Sequence, residues 1–176
     1  MKTAMLLRSL AALLLAALVA GCGFHLRGAE SAALPYKTLH IALPETAEVR
    51  IWLERYIRAS GSTTLVDDAR TAEATFQQLE DSRQKTILSV NAQGRITEYR
   101  LQLTYRFRIV NAKGQVIVAP TELSLSRDMT YDDSNVLAKE QEERLLWRDM
   151  TSELVSQIMR RLSLIQPKDP DQEDDW

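Results

Sequence analysis

The segment ITEYRLQLTYRFRIV, residues 96–110, alternates apolar and polar side chains. Its apolar positions are Tyr99, Leu101, Leu103, Tyr105, Phe107 and Ile109, and between them stand Arg100, Gln102, Thr104, Arg106 and Arg108. Because successive side chains of a β-strand point to opposite faces, this period of two predicts a strand with one buried and one charged face. Arg100, Arg106 and Arg108 are expected to share the charged face.

Two copies of the motif Asn-Ala-x-Gly, at residues 91–94 and 111–114, bound this strand. Asn can open a tight turn, and Gly readily takes the left-handed conformation that closes it. Both motifs therefore predict hairpin tips, and the region from Thr71 to Tyr131 is expected to form consecutive antiparallel strands. A further short strand is predicted from Leu39 to Leu43, and Thr63 to Val66 is a candidate for another.

Two amphipathic segments flank the predicted strands. The first is expected to begin at Pro44-Glu45 and to end at Gly61, and the second follows Asp132-Asp133-Ser134 and continues to about Leu164. In the second, apolar residues recur every four positions and form one broad face for a core: Leu146, Met150, Leu154, Ile158 and Leu162. The predicted fold class is α+β, a two-layer sandwich with two helices packed on one face of a mixed, mainly antiparallel sheet of about four strands.

The first 21 residues have the parts of a bacterial export signal, with basic residues followed by an apolar stretch and then small residues. They precede Cys22, the one cysteine of the chain, in the run Val-Ala-Gly-Cys. This run resembles the lipobox of bacterial lipoproteins, so residues 1–21 are predicted to be a signal peptide and Cys22 to be lipidated. The alternative is an ordinary secreted protein cleaved near Ala20. Gly23, where Asp would favour inner-membrane retention, implies the outer membrane.

Composition bounds the mature chain. Removal of the signal takes two of the 22 basic residues, so 20 remain against 24 acidic ones, and five of those acids lie in the last ten residues. Residues 167–176 are predicted to be an acidic, disordered tail, and residues 22–166 a single domain with no net charge. A neutral domain does not favour general nucleic-acid binding, which needs a basic face.

The sequence offers little catalytic chemistry. His25 and His40 are the only histidines, and neither has partners at a spacing typical of a zinc site or of a nucleophile's base. The glycines form no phosphate-binding loop. No catalytic, metal or cofactor site is predicted, and an enzyme is the disfavoured interpretation.

Cations are concentrated in one part of the predicted sheet. Between residues 83 and 108 there is one acid, Glu98, and there are six basic residues: Arg83, Lys85, Arg95, Arg100, Arg106 and Arg108. One interpretation is an ordinary soluble sheet surface. The other is a site for an amphiphile with anionic head groups, such as lipopolysaccharide, because guanidinium and ammonium groups pair with phosphate.

Three stretches resemble a known family, the lipopolysaccharide-assembly lipoprotein LptE. They are the run Cys-Gly-Phe-His-Leu-Arg at residues 22–27, the hairpin from Gln93 to Tyr99 with its Thr-Glu-Tyr, and the run Val-Leu-Ala-Lys at residues 136–139 before a long helix. The resemblance implies an outer-membrane lipoprotein subunit of the lipopolysaccharide translocon. Such a subunit plugs the LptD β-barrel, assists its assembly, and binds lipopolysaccharide for insertion into the outer leaflet.

The resemblance also implies part of the lipopolysaccharide site. Lys139 matches the family's lysine before the second helix. The family's other basic position corresponds here to Asn91-Ala92, and Arg95 is a possible substitute. Together with the strand arginines, the predicted lipopolysaccharide-binding residues are Lys139, Arg95, Arg100, Arg106 and Arg108. Two alternatives stay open: an anchored scaffold or chaperone for a barrel without glycolipid binding, and an anchored envelope enzyme.

Overall fold

The computed structural model describes residues 33–164. The predicted signal at 1–21, the lipidated Cys22 and the acidic tail at 167–176 lie outside the described residues. The elements, in chain order, are β1 (Thr38–Ala42), α1 (Glu48–Ser60), β2 (Thr64–Leu65), β3 (Ala74–Val90), β4 (Ile96–Asn111), β5 (Val116–Thr130), a 3₁₀ turn (Asp133–Asn135) and α2 (Val136–Leu164).

The five strands form one mixed sheet in the order β2-β1-β3-β4-β5. β1 pairs in parallel with β2 and β3, whereas β3, β4 and β5 are joined antiparallel by two hairpins. The predicted α+β class and its two helices on a mainly antiparallel sheet are confirmed. The sheet has five strands, close to the predicted count of about four, and the candidate at residues 63–66 is a strand of two residues, β2.

The two hairpin tips share one geometry, as their repeated motif predicts. Asn91 Oδ1 accepts hydrogen bonds from the backbone N–H groups of Gln93 and Arg95, at 3.0 and 2.9 Å. Asn111 does the same for the residues at 113 and 115. Gly94 and Gly114 have φ angles of 76° and 81°, a region that L-residues with a Cβ rarely occupy, so each loop requires its glycine.

Local signals also explain the helix ends. Gly61, with a φ of 65°, terminates α1, as expected. α1 begins at Glu48, three residues later than predicted, because residues 44–47 form a turn closed by the Ala47 N–H donating to the Pro44 carbonyl at 3.0 Å. Asp132 caps the 3₁₀ turn before α2 by accepting from the Ser134 N–H at 2.9 Å, and this hydrogen bond lowers the pKa of Asp132.

The core lies between the helices and one face of the sheet. Leu101, Leu103, Tyr105, Phe107 and Ile109 of β4 are all buried against apolar residues of α1 and α2, among them Leu53, Ile57, Met150, Leu154, Ile158 and Leu162. Full burial of one such aliphatic or aromatic side chain contributes about 1.5–3 kcal/mol. The opposite face is polar, with rows such as Gln84, Gln102 and Ser126 across β3, β4 and β5. Within residues 33–164, no helix is long and apolar enough to cross a membrane.

Candidate functional site

The three strand arginines lie on the polar face of β4, and each has a partner there. Arg100 donates to Asp128 through Nε at 2.7 Å and Nη2 at 2.9 Å, and this pairing lowers the pKa of the Asp128 carboxyl. Arg106 lies 3.7 Å from Glu80, and Arg108 Nε donates to an amide oxygen of β3 at 2.8 Å. These contacts are typical of a solvated sheet surface with cross-strand charge pairs.

Arg100 is separated from Arg106 and Arg108 by a long distance along β4. A strand rises about 3.3 Å per residue, so Arg106 and Arg108 lie roughly 20 and 26 Å from Arg100. Arg100 stands near the end of the sheet at which α2 begins, because Glu98, two residues away, pairs with Thr130 in the β4–β5 ladder. The five predicted residues therefore do not form one compact site.

Lys139 is held at that end of the sheet. Its Nζ donates to Thr130 Oγ1 at 3.0 Å and to Glu142 Oε2 at 2.9 Å. Only 20% of the Lys139 side chain is exposed, compared with 44% of Glu142. The ammonium group is thus fixed where β5 leads into α2, with one carboxylate beside it.

A second lysine lies on β3, which β4 separates from β5. Lys85 Nζ is 2.6 Å from Glu143 Oε2 and 4.2 Å from the centre of the Tyr99 ring. Tyr99 meets Tyr131 edge to face with ring centres 5.1 Å apart, and Tyr131 directly follows the threonine that Lys139 contacts. Contacts therefore join Lys85 to the aromatic pair, and Tyr131 connects that pair to Lys139 through its chain neighbour Thr130.

Exposed apolar side chains occur on the same two elements, Ile87 on the face of β3 that carries Lys85 and Leu137 in the first turn of α2. Ile87 is opposite Tyr99 in the β3–β4 ladder and is 58% exposed, and Leu137, two residues before Lys139, is 69% exposed. We name Lys85, Ile87, Tyr99, Tyr131 and Lys139 the tip cluster. Cations next to exposed apolar and aromatic groups match the two halves of an amphiphile with an anionic head group.

In the sequence, Lys85 is only one of six cations between residues 83 and 108, and no local pattern connects Ile87 or the tyrosines with Lys139. The sequence does contain one sign of an apolar surface at this end of the molecule: Leu137 is apolar but lies outside the four-residue stripe that α2 buries. The link from Lys85 to Lys139 spans more than fifty residues and depends on strand register, so no local pattern contains it.

Arg95 occupies the adjoining hairpin tip. Its backbone is fixed by two hydrogen bonds with Asn91, one from the Asn91 N–H to the Arg95 carbonyl at 2.8 Å and one to Asn91 Oδ1 at 2.9 Å. Its side chain is exposed and makes no ion pair with any residue from 33 to 164. Of the predicted residues, Lys139, Arg95 and Arg100 therefore share one end of the sheet, and Arg106 and Arg108 do not.

Comparison with known proteins identifies the family. A family model described as LptE, lipopolysaccharide-assembly, matches residues 36–162. The chain belongs to the LptE family. One relative, the LPS-assembly lipoprotein LptE of Photorhabdus laumondii, is 27% identical over 143 residues, which cover 81% of this chain and 78% of the relative.

Two solved structures agree with the LptE assignment. The uncharacterized lipoprotein B of Nitrosomonas europaea is 33% identical with a TM-score of 0.69, and the match covers 80% of this chain and 90% of that one. A minor lipoprotein of Acinetobacter baumannii is 31% identical with a TM-score of 0.62, covering 76% and 99%. The chain is thus an LptE-family lipoprotein of lipopolysaccharide assembly and not an enzyme.

No three His, Cys, Asp or Glu side chains between residues 33 and 164 are arranged to hold a metal ion. The Nδ1 atom of His40 lies 3.1 Å from the Val66 carbonyl oxygen, so this ring links β1 to the residue after β2.

Proposed function

We propose that this LptE-family lipoprotein is the outer-membrane subunit of the lipopolysaccharide translocon. It is anchored through acyl chains on Cys22, plugs the LptD β-barrel and assists its assembly. It also binds lipopolysaccharide at the tip cluster, with Arg95 beside it, for insertion into the outer leaflet. The observation that carries the lipid-binding part is the contact of Lys85 with Tyr99 and of Tyr99 with Tyr131, whose chain neighbour Thr130 accepts from Lys139, with exposed Ile87 two residues from Lys85 on β3.

The chemistry of lipopolysaccharide fits this arrangement. Its phosphates would pair with the ammonium groups of Lys85 and Lys139, and the exposed apolar residues would contact the adjoining acyl chains. Each lysine is already paired with a carboxylate, but partly exposed ion pairs of this kind are worth only about 0–1 kcal/mol. A phosphate that carries more charge can therefore displace Glu142 and Glu143 at low cost.

The polar face of the sheet supports the barrel partnership. The lumen of a large outer-membrane barrel is polar, whereas its lipid face is apolar. The outward face of β3, β4 and β5 carries amides, hydroxyls and balanced pairs such as Arg100 with Asp128. Such a surface suits contact with a wet, polar wall and would be unsuitable against acyl chains.

The lipid site is tested with full-length lipoprotein in nonionic detergent, titrated with fluorescent lipopolysaccharide. Lys85→Ala/Lys139→Ala should weaken binding by at least about tenfold, because a charge-assisted hydrogen bond contributes about 1.5–3 kcal/mol. Arg106→Ala/Arg108→Ala removes the same charge at the far end of β4 and should have little effect. If the second variant loses binding and the first does not, the strand face is the site and the tip cluster is not.

The barrel partnership is tested separately, by gentle detergent extraction of the tagged lipoprotein followed by mass spectrometry. A stoichiometric LptD-type barrel is the expected companion for the wild type, for the double lysine variant and for the double arginine variant. Absence of any barrel, with the Cys22 anchor intact, would contradict the translocon role.

One observation favours a second function, that of a barrel scaffold without glycolipid binding. Both tip lysines are already neutralised, Lys139 by Glu142 and Lys85 by Glu143. In this case the Lys85→Ala/Lys139→Ala variant would change neither lipopolysaccharide binding nor its salt dependence, while barrel association would persist.

A further inference from the structure

A second cationic cleft lies on the helix side of the sheet. It has a volume of about 650 Å³ and lies between the first turn of α1, the middle of β3 and the first half of α2. Its lining includes one acid, three arginines, a tryptophan and a leucine: Glu48, Arg83, Arg144, Leu145, Trp147 and Arg148.

One arginine of the cleft is fixed and neutralised. Arg83 Nη2 lies 2.9 Å from Glu48 Oε2 and 3.2 Å from Thr151 Oγ1, and its guanidinium carbon is 5.7 Å from the centre of the Trp147 ring. This contact set orients the indole and uses the single acid that lines the cleft. Arg83 and Glu48 together therefore contribute no net charge.

The other two arginines leave the cleft positive. Arg144 and Arg148 are four residues apart on α2, so they project from the same side of the helix. Both side chains are exposed, and neither makes an ion pair with any other residue from 33 to 164. Beside them, Leu145 is 51% exposed. Two uncompensated guanidinium groups thus stand next to an aromatic and an aliphatic surface.

The free arginines of the cleft lie away from Lys139, although the cleft adjoins Lys85 of the tip cluster, because Glu143, which pairs with Lys85, also accepts a hydrogen bond from Trp147 Nε1 at 3.3 Å. Arg148 follows Lys139 by nine residues, which is about 13 Å along a helix and half a turn around it, at 1.5 Å and 100° per residue. Lys139 points towards Thr130 of β5, whereas the arginine cleft borders β3 and α1. One phosphate group therefore cannot contact both Arg148 and Lys139.

We propose that the cleft binds the phosphate ester of an amphiphile, with Arg144 and Arg148 on the phosphate and Trp147 and Leu145 against the first carbons of the chains. The planar guanidinium fork favours phosphate, and the apolar lining favours an amphiphile over a free ion. Its concave shape and mixed lining favour a small head group over the acidic surface of a protein. The proposal does not require that the tip cluster bind lipopolysaccharide.

The test uses Trp147 as a local reporter. The full-length lipoprotein carries Trp52→Phe and Trp176→Phe, which leave only the cleft tryptophan, and is held in nonionic detergent. Its emission is titrated with dihexanoyl phosphatidic acid, with dihexanoyl phosphatidylcholine and with inorganic phosphate. Saturable binding of phosphatidic acid, much weaker binding of phosphate and none of phosphatidylcholine are expected.

Two matched variants decide the assignment. Arg144→Ala/Arg148→Ala should weaken phosphatidic acid binding by about tenfold or more, because it removes both charge-assisted contacts. Arg160→Ala/Arg161→Ala makes the same charge change at the other end of α2 and should leave binding unchanged. Equal binding by the first variant and the wild type, or equal binding of the two lipids, would overturn the proposal.

Two further experiments distinguish lipid binding in the cleft from lipopolysaccharide binding at the tip cluster and from binding of a protein partner. Lipopolysaccharide is titrated against the Lys85→Ala/Lys139→Ala background, and a response of Trp147 that survives identifies it as a ligand of the cleft. If the Arg144→Ala/Arg148→Ala variant binds lipid normally but no longer co-extracts a protein partner, the cleft is a protein interface and the lipid proposal is wrong.

Discussion

Replacing Glu142 and Glu143 by glutamine should tighten lipopolysaccharide binding at the tip cluster. Glu142 accepts a hydrogen bond from Lys139 at 2.9 Å, and Glu143 accepts one from Lys85 at 2.6 Å. A phosphate that binds either ammonium group must compete with these carboxylates. Glutamine keeps the side-chain length and removes the competing charge, so the lysines become free to pair with the ligand.

The contacts set the size of this gain. The paired side chains are 20% and 44% exposed for Lys139 with Glu142, and 34% and 22% exposed for Lys85 with Glu143, so both pairs remain in reach of solvent. Such pairs are worth up to about 1 kcal/mol each. Because 1.4 kcal/mol corresponds to a factor of ten, affinity should rise by about fivefold for one substitution and at most about 25-fold for both. The free energy of unfolding should fall by no more than about 1 kcal/mol for each pair.

The measurement is the dissociation constant for fluorescent lipopolysaccharide at low and at high salt, for the full-length lipoprotein in detergent. The gain should shrink at high salt, because screening weakens charge interactions near the surface. Glu80→Gln/Glu122→Gln, which makes the same charge change on the polar face around Arg106, is the control. An equal gain in the control would mean that only net charge matters. Unchanged or weaker binding by the tip variant would refute the reasoning.

Three other predictions concern stability and ionisation. Leu154→Ala removes a fully buried side chain and should lower the free energy of unfolding in urea by about 2–5 kcal/mol, whereas Leu137→Ala, at a 69% exposed position, should change it little. Gly94→Ala should lower the free energy of unfolding by about 1–2 kcal/mol in the same assay, because φ is 76° there. No atom lies within 4 Å of the added Cβ, so the loss comes from the backbone conformation alone. Arg100→Ala should raise the pKa of Asp128 towards its ordinary value, as read by NMR titration. Because the pKa of Asp128 is depressed in the folded state, its pairing with Arg100 stabilises the wild type at neutral pH. The variant should therefore be less stable than the wild type at neutral pH, and this difference should vanish as the pH falls through the depressed pKa.

The sheet and its hairpins were predictable because their signals are local. A period of two along β4 determines which side chains are buried whatever the partner strands are. Each Asn-Ala-x-Gly motif contains the side-chain acceptor that closes its loop and the glycine that takes the positive φ, at Gly94 and Gly114. The four-residue stripe of α2 is equally local, and each of these elements lies where its own sequence predicts it.

The tip cluster was not predictable, because it is made by register and docking. Tyr99 meets Tyr131 only after β4 and β5 have paired, and Lys85 reaches Tyr99 only in the register that the β3–β4 ladder sets, which contains bulges near both ends. A shift of one residue would move Lys85 to the opposite face. The sequence therefore identified Lys139 through a resemblance, and the structure supplies its neighbours.

Charge in this fold is balanced across strands, and for that reason the cation-rich window from Arg83 to Arg108 overstates the cationic surface. Four of its six cations are paired with acids that lie outside the window: Arg83 with Glu48, Lys85 with Glu143, Arg100 with Asp128 and Arg106 with Glu80. Arg108 is bonded to an amide, which leaves Arg95. A count along the chain cannot include partners that the sheet and helices bring from other elements. By the same reasoning, Arg144 and Arg148 are stronger candidates for phosphate binding than the sequence suggests. They lie in no cation-rich run, and their charges are uncompensated among residues 33–164. A phosphate can therefore reach Arg144 and Arg148 without displacing a carboxylate, whereas at Lys85 and Lys139 it must displace one.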